Sequence, residues 1–70
     1  MKLPVKKRSF SIAGHRTSVA LEEEFWAALD AEARAEKVSL AALVARIDAE
    51  RSKGNLASAL RVHVLARAQK

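Results

Sequence analysis

From Arg16 to Leu21 the side chains alternate, with Thr17, Val19 and Leu21 on one face and Arg16, Ser18 and Ala20 on the other. A period of two with β-branched residues predicts a strand that turns one face to a core and the other to solvent. The segments after it read as helix, so this strand region has no large sheet to join. A lone strand or single hairpin exposes an edge and is marginal by itself. The chain must therefore satisfy that edge, and a second copy related by a two-fold axis is the simplest way to do so.

A second alternating stretch, Ser9–Ile12, precedes the first and is separated from it by Ala13, Gly14 and His15. Gly14 suits a tight turn or a bulge. The two runs read equally as a hairpin or as one long kinked strand. Residues 1–8 read as a flexible basic arm, with Pro4 opposing regular structure there, and residues 9–70 read as a single domain with its strand region at 9–21.

Three helices are expected at about 22–37, 39–51 and 55–68. Glu22, Glu23 and Glu24 open the first, where carboxylates complement the exposed amides of a helix start. Phe25, Leu29 and Ala33 then share a face, flanked by Trp26 and Ala28. Ser39 is a good N-cap for the second helix, whose Leu40, Leu43, Val44 and Ile47 form the cleanest apolar stripe in the chain. Asn55 can cap the third. The apolar residues of that helix, Leu56, Ala59, Leu60, Val62, Val64 and Leu65, cover more than one face and so call for covering on several sides.

Seventy residues make one domain, and half of them are apolar. A domain of this size buries only about 60% of its unfolded surface, so a symmetric dimer is the expected outlet for the surplus. The expected dimer core is Val19, Leu21, Phe25, Trp26, Leu29, Leu43, Ile47 and Leu60. No cysteine is present to form a disulfide or a thiolate metal site. His15 and His63 lack the spacing of zinc ligands, and no motif activates a serine or cradles a phosphate. The expectation is therefore no metal, no cofactor and no enzymatic activity. No apolar run is long enough to span a membrane or to act as a signal peptide.

The net charge of +5 is unevenly placed. Met1–Leu21 holds five basic residues and no acidic one, Glu22–Glu50 holds all eight acidic residues, and Arg51–Lys70 again holds five basic residues and no acidic one. A polyanion would approach such a chain at its ends.

The strand Arg16-Thr17-Ser18-Val19-Ala20-Leu21, the helix with Phe25 and Leu29, the turn Glu36-Lys37-Val38-Ser39 and the helix with Leu43 and Ile47 together resemble the ribbon-helix-helix family of the Arc and MetJ type. These proteins read DNA grooves with β-ribbons. Ala13-Gly14-His15-Arg16-Thr17-Ser18, Phe25-Trp26 and Asn55-Leu56-Ala57-Ser58-Ala59-Leu60-Arg61 resemble a narrower bacterial group of stand-alone members, over Lys7 to Leu65. The resemblance implies a mainly α fold with a short ribbon and an additional C-terminal helix, in an intertwined homodimer whose antiparallel ribbon takes one strand from each chain. It implies a cytoplasmic, nucleoid-associated protein bound to double-stranded DNA, with higher assemblies on DNA open.

Carried over, the outward strand residues Arg16, Ser18 and Ala20 would read bases. Ser39 with the amides of Leu40 and Ala41 would hold a phosphate, since a helix N-terminus binds anions. Arginine donates two hydrogen bonds to guanine, serine discriminates less, and Ala20 offers only a methyl contact. Lys6, Lys7, Arg8 and His15 would add backbone phosphate contacts, which need charge more than geometry. If Ser9–Ile12 pairs with the reading strand, it would take up part of the surface meant for DNA. Two further readings compete with a sequence-specific regulator. One is an architectural binder without sequence preference; the other is a protein-interaction module, antitoxin-like or an adaptor, that retains the dimer fold.

Overall fold

The structure, a computed structural model, describes residues 4–50 and 55–69. The first three residues of the expected arm, and the expected end of the second helix at Arg51, lie outside them. Five elements follow in order: β1 (Val5–Ile12), β2 (His15–Glu22), α1 (Glu23–Glu36), α2 (Leu40–Glu50) and α3 (Leu56–Ala68).

The two alternating runs form a hairpin. β1 and β2 pair antiparallel along their whole length, from Val5 opposite Glu22 to Ile12 opposite His15. The loop is two residues long, and both lie at positive φ, Ala13 at 52° and Gly14 at 82°. Two consecutive positive φ values are what a type I′ turn requires, and the twist of that turn matches the twist of the strands. Glycine adopts such a φ freely, whereas alanine does so at a cost. The strand also starts earlier than expected. Pro4 precedes it instead of breaking it, and Val5–Arg8 is drawn into the ladder because β2 offers a partner for each of its residues. The two-stranded ribbon is thus formed within one chain.

α1 begins one residue later than expected, with Glu22 in the extended conformation of an N-cap. It ends in a Schellman motif. Lys37 is left-handed at φ 60°, ψ 38°, its N–H donates to the Arg34 carbonyl at 3.1 Å, and the Val38 N–H donates to the Ala33 carbonyl at 3.0 Å. Ser39 caps α2 by accepting the Ala42 N–H at 3.0 Å. Asn55 caps α3 by accepting the Ser58 N–H at 2.7 Å.

α1 and α3 pack on β2, α2 packs on β1, and the three helices pack on one another. Val19, Leu21, Trp26, Leu29, Leu43, Ile47 and Leu60 are buried in this single chain, together with Ile12, Ala33, Val44 and Leu56, while Phe25 is half-buried. Those side chains leave water without a second copy. The third helix is covered on one side only: Leu56 and Leu60 are buried, but Val62 and Leu65 stay 62% and 52% exposed.

One carboxylate enters the core region. Glu32 of α1 is buried, and its two oxygens lie 2.8 Å and 2.9 Å from Nε2 of His63 on α3. Arg67 of α3 lies 3.3 Å from it and Arg46 of α2 lies 3.6 Å away. Arg46 is held in turn by Glu36, at 2.8 Å and 3.2 Å. This cluster ties all three helices together, and the half-buried His63 is satisfied within it.

Candidate nucleic-acid interface

The pleat of the hairpin sorts its side chains between two faces. Directly opposed residues share a face, so Lys6–Leu21, Arg8–Val19 and Phe10–Thr17 point toward the helices. Lys7–Ala20, Ser9–Ser18 and Ser11–Arg16 point away from them, and all six of these residues are exposed. Arg16, Ser18 and Ala20 therefore stand on the outward face, as their alternation predicts. β1 lies beside β2 at its edge and leaves that face open.

The same sorting divides the basic residues. Arg8 points inward, where its Nη1 donates to the Asp30 carboxylate at 3.3 Å and its guanidinium lies 4.8 Å from the Trp26 ring centroid. Lys6 is also on the inward side, 3.8 Å from Glu23, and its backbone carbonyl accepts the Trp26 Nε1–H at 2.9 Å. Arg61 bonds Glu22 at 3.0 Å and lies over Phe25 at 5.8 Å. The fold thus employs Lys6, Arg8, Arg46, Arg61 and Arg67 in its own ion pairs. Lys7 and Arg16, on the outward face, have no carboxylate partner among the described residues.

These pairings set the local electrostatics. The hydrogen bond from Arg61, helped by one from its own backbone, holds the Glu22 carboxyl below its ordinary range. The hydrogen bond from Arg46 does the same for Glu36. Both carboxylates stay ionised and neutralised by an arginine. Between Lys7 and Ala20 neither strand carries an acidic residue, so the outward face is cationic and hydroxyl-bearing. Ser9 and Ser18 share a hydrogen bond across the strands at 3.1 Å.

The other expected contacts lie off this face. His15 is exposed at the start of β2, beside the turn. Ser39 and Ala41 are exposed and Leu40 is half-buried at the start of α2. The amides of Leu40 and Ala41 belong to the first helical turn, where the helix offers them no carbonyl. The Ser39 oxygen accepts the Ala42 N–H, which takes that amide from an anion but leaves the Ser39 O–H free to donate beside the amides of Leu40 and Ala41.

The sequence pattern of the ribbon-helix-helix domain matches residues 5–68, which takes in the hairpin and all three helices. The protein belongs to the ribbon-helix-helix family. No curated protein and no solved structure matches the chain. Among the described residues of this ribbon-helix-helix protein, no cluster of histidine, cysteine, aspartate or glutamate is arranged to hold a metal, and no helix is long and apolar enough to cross a membrane.

Ser9 and Ser11 are the residues that reading along the strand passes over. Their signal is parity. Once a two-residue turn is placed at Ala13–Gly14, the register puts Ser9 opposite Ser18 and Ser11 opposite Arg16.

Proposed function

We propose that this ribbon-helix-helix protein is a sequence-specific transcriptional regulator that acts as a homodimer and sets the outward face of its ribbon into the major groove of double-stranded DNA. The observation that carries this reading is the exposed outward face, free of acid between Lys7 and Ala20, on which Lys7 and Arg16 have no carboxylate partner among the described residues, while the neighbouring Lys6 and Arg8 pair with Glu23 and Asp30. A major groove about 12 Å wide admits a two-stranded ribbon, and arginine to guanine is the commonest specific contact there. Arg16 and Ser18 read base edges, Ala20 gives a methyl contact, Lys7 and His15 contact phosphates, and the amides of Leu40 and Ala41 beside Ser39 anchor one more phosphate. The placement of Lys6 and Arg8 in internal ion pairs favours a structural role for them. The exposed Val62 and Leu65 of α3 provide apolar surface for a second copy. Such a protein works in the bacterial cytoplasm, on the nucleoid, and needs neither catalysis nor a cofactor.

Selection of the purified protein against a random duplex library at near-physiological salt tests this. A short motif with two-fold symmetry is expected. Arg16→Ala should cost about 1–3 kcal/mol of binding and relax the preference at its base. Retention without any motif would replace this reading with the architectural binder, and no retention even at low salt would replace it with the protein-interaction module.

A further inference from the structure

We infer that a second copy of this chain docks on the face formed by α1 and α3, with the two α1 helices antiparallel across a two-fold axis at the level of Leu29 and Leu65. This rests on the homodimer reading above and deepens it by assigning a surface to the contact. The hairpin takes no part, so its edges and its outward face stay free.

α1 and α3 lie side by side and run in the same direction, since Arg61 lies over Phe25 and, further along both helices, Arg67 reaches Glu32. Between them is an open groove of about 380 Å³, lined by Ala28, Ala31 and Ala35 of α1 and by Val64 and Ala68 of α3. Glu32 and Arg67 also border it but are paired with each other, so the groove offers an occupant mainly apolar surface. Leu65 follows Val64 and is exposed, and Val62 is exposed about one turn before it. Single exposed apolar side chains are ordinary, whereas a group of them beside an apolar groove marks a contact surface.

The charges decide what covers this surface. Glu24, Ala27, Ala31 and Arg34 are all exposed, and their spacing of three and four residues puts them on one side of α1. Neither Glu24 nor Arg34 has a partner among the described residues. They lie five residues to either side of Leu29, and Ala27 and Ala31 lie two to either side. Turned end over end, this face meets its own complement. Glu24 comes opposite the partner's Arg34, and Ala27 comes opposite the partner's Ala31. A two-fold axis makes each contact twice, and alanines let the helix axes approach closely. The same axis meets an apolar residue of α3. Four residues beyond the level of Phe25 and Arg61 stand Leu29 and Leu65, so Leu65 meets the partner's Leu65 and Val62 meets the partner's Ala68. An unrelated partner would not require this face to match itself in both its charges and its apolar positions.

Sedimentation velocity of the full chain at several concentrations tests this, with circular dichroism to check that each variant folds. Every substituted side chain is exposed, so the fold is expected to stand. Leu65→Glu sets two carboxylates face to face on the axis and should halve the mass of the wild-type assembly. Glu24→Arg and Arg34→Glu should each weaken self-association about tenfold, because each sets like charges together at two places. The double variant Glu24→Arg with Arg34→Glu restores opposite charges and should return to within about threefold of wild type. If Leu65→Glu assembles like wild type, this face is not the interface, and the inference is overturned while the homodimer reading stands. If Leu65→Glu dissociates but the double variant associates no better than the single ones, the antiparallel arrangement is overturned. If the wild-type chain is monomeric at every concentration, the homodimer reading falls and this inference with it, which leaves the face to a partner of another kind.

Discussion

Replacing Glu32 with alanine is expected to be among the most damaging single changes outside the apolar core. The Glu32 side chain is 5% exposed and His63 is 23% exposed, so their short contact at 2.8 Å is largely shielded from water. A hydrogen bond to a charged group contributes about 1.5–3 kcal/mol, and its loss leaves the remaining partner poorly solvated. Arg46 and Arg67 are 46% and 51% exposed, so water can take over much of their share, and Arg46 keeps Glu36 as a partner. Their contribution is that of surface pairs, at most about 1 kcal/mol. The total is about 3 kcal/mol, a large part of the stability available to a domain this small. For this size it corresponds to a drop in Tm of roughly 15 °C. Urea unfolding followed by circular dichroism, at a fixed protein concentration, measures it. Glu32→Gln should lose about half as much, because the amide retains one acceptor. A double-mutant cycle with His63→Ala should return a coupling of at least about 1 kcal/mol. A Glu32→Ala protein within about 0.5 kcal/mol of wild type would refute the argument. It would mean that the cluster is hydrated in solution and that the apolar core alone holds the helices together.

Lys37→Gly should stabilise the protein by about 1 kcal/mol, because Lys37 occupies the left-handed position of the Schellman motif, where a side chain is unfavourable; thermal unfolding would show the gain. Trp26→Phe should destabilise it by about 1–2 kcal/mol through loss of the Nε1–H bond to the Lys6 carbonyl and a weaker ring under Arg8, again read by denaturant unfolding. Acid should also weaken the fold. Glu22 and Glu36 have lowered folded-state values, so their contribution is complete above the ordinary glutamate range and is lost as the pH falls through those lowered values. The Tm should stay level from neutral pH down to that range and then decline, and Arg61→Ala with Arg46→Ala should flatten the decline.

Much of this arrangement can be read along the chain, and the rest fails for identifiable reasons. The alternation of Arg16–Leu21 correctly assigned Val19 and Leu21 to the core and Arg16, Ser18 and Ala20 to the surface, because period two leaves only one way to bury that strand. The stripe of α2 placed Leu43, Val44 and Ile47 in the core for the equivalent helical reason. The caps Ser39 and Asn55 were legible because a hydroxyl or amide ahead of an apolar run has a local partner. Local patterns do not reveal Val5–Arg8 as strand, since Lys6, Lys7 and Arg8 look like a solvated tail until β2 is known to lie beside them. Nor do they reveal that Arg8 and Glu32 serve the fold. Their partners lie 22 and 31 residues away, and a charged residue facing a distant partner looks the same in sequence as one facing water.

The six outward side chains between Lys7 and Ala20 support nothing behind them, apart from the single bond between Ser9 and Ser18. On the proposed reading, what the protein recognises is therefore separable from what keeps it folded. A library varied at these positions should yield mostly folded members with new preferences, because the turn, the inward pleat and the helices hold the hairpin in place whatever it displays. Mutational drift can move through the same space: if the outward face selects the target, a lineage carrying this hairpin can exchange one site for another by changing a few exposed residues, without first acquiring a stabilising change elsewhere.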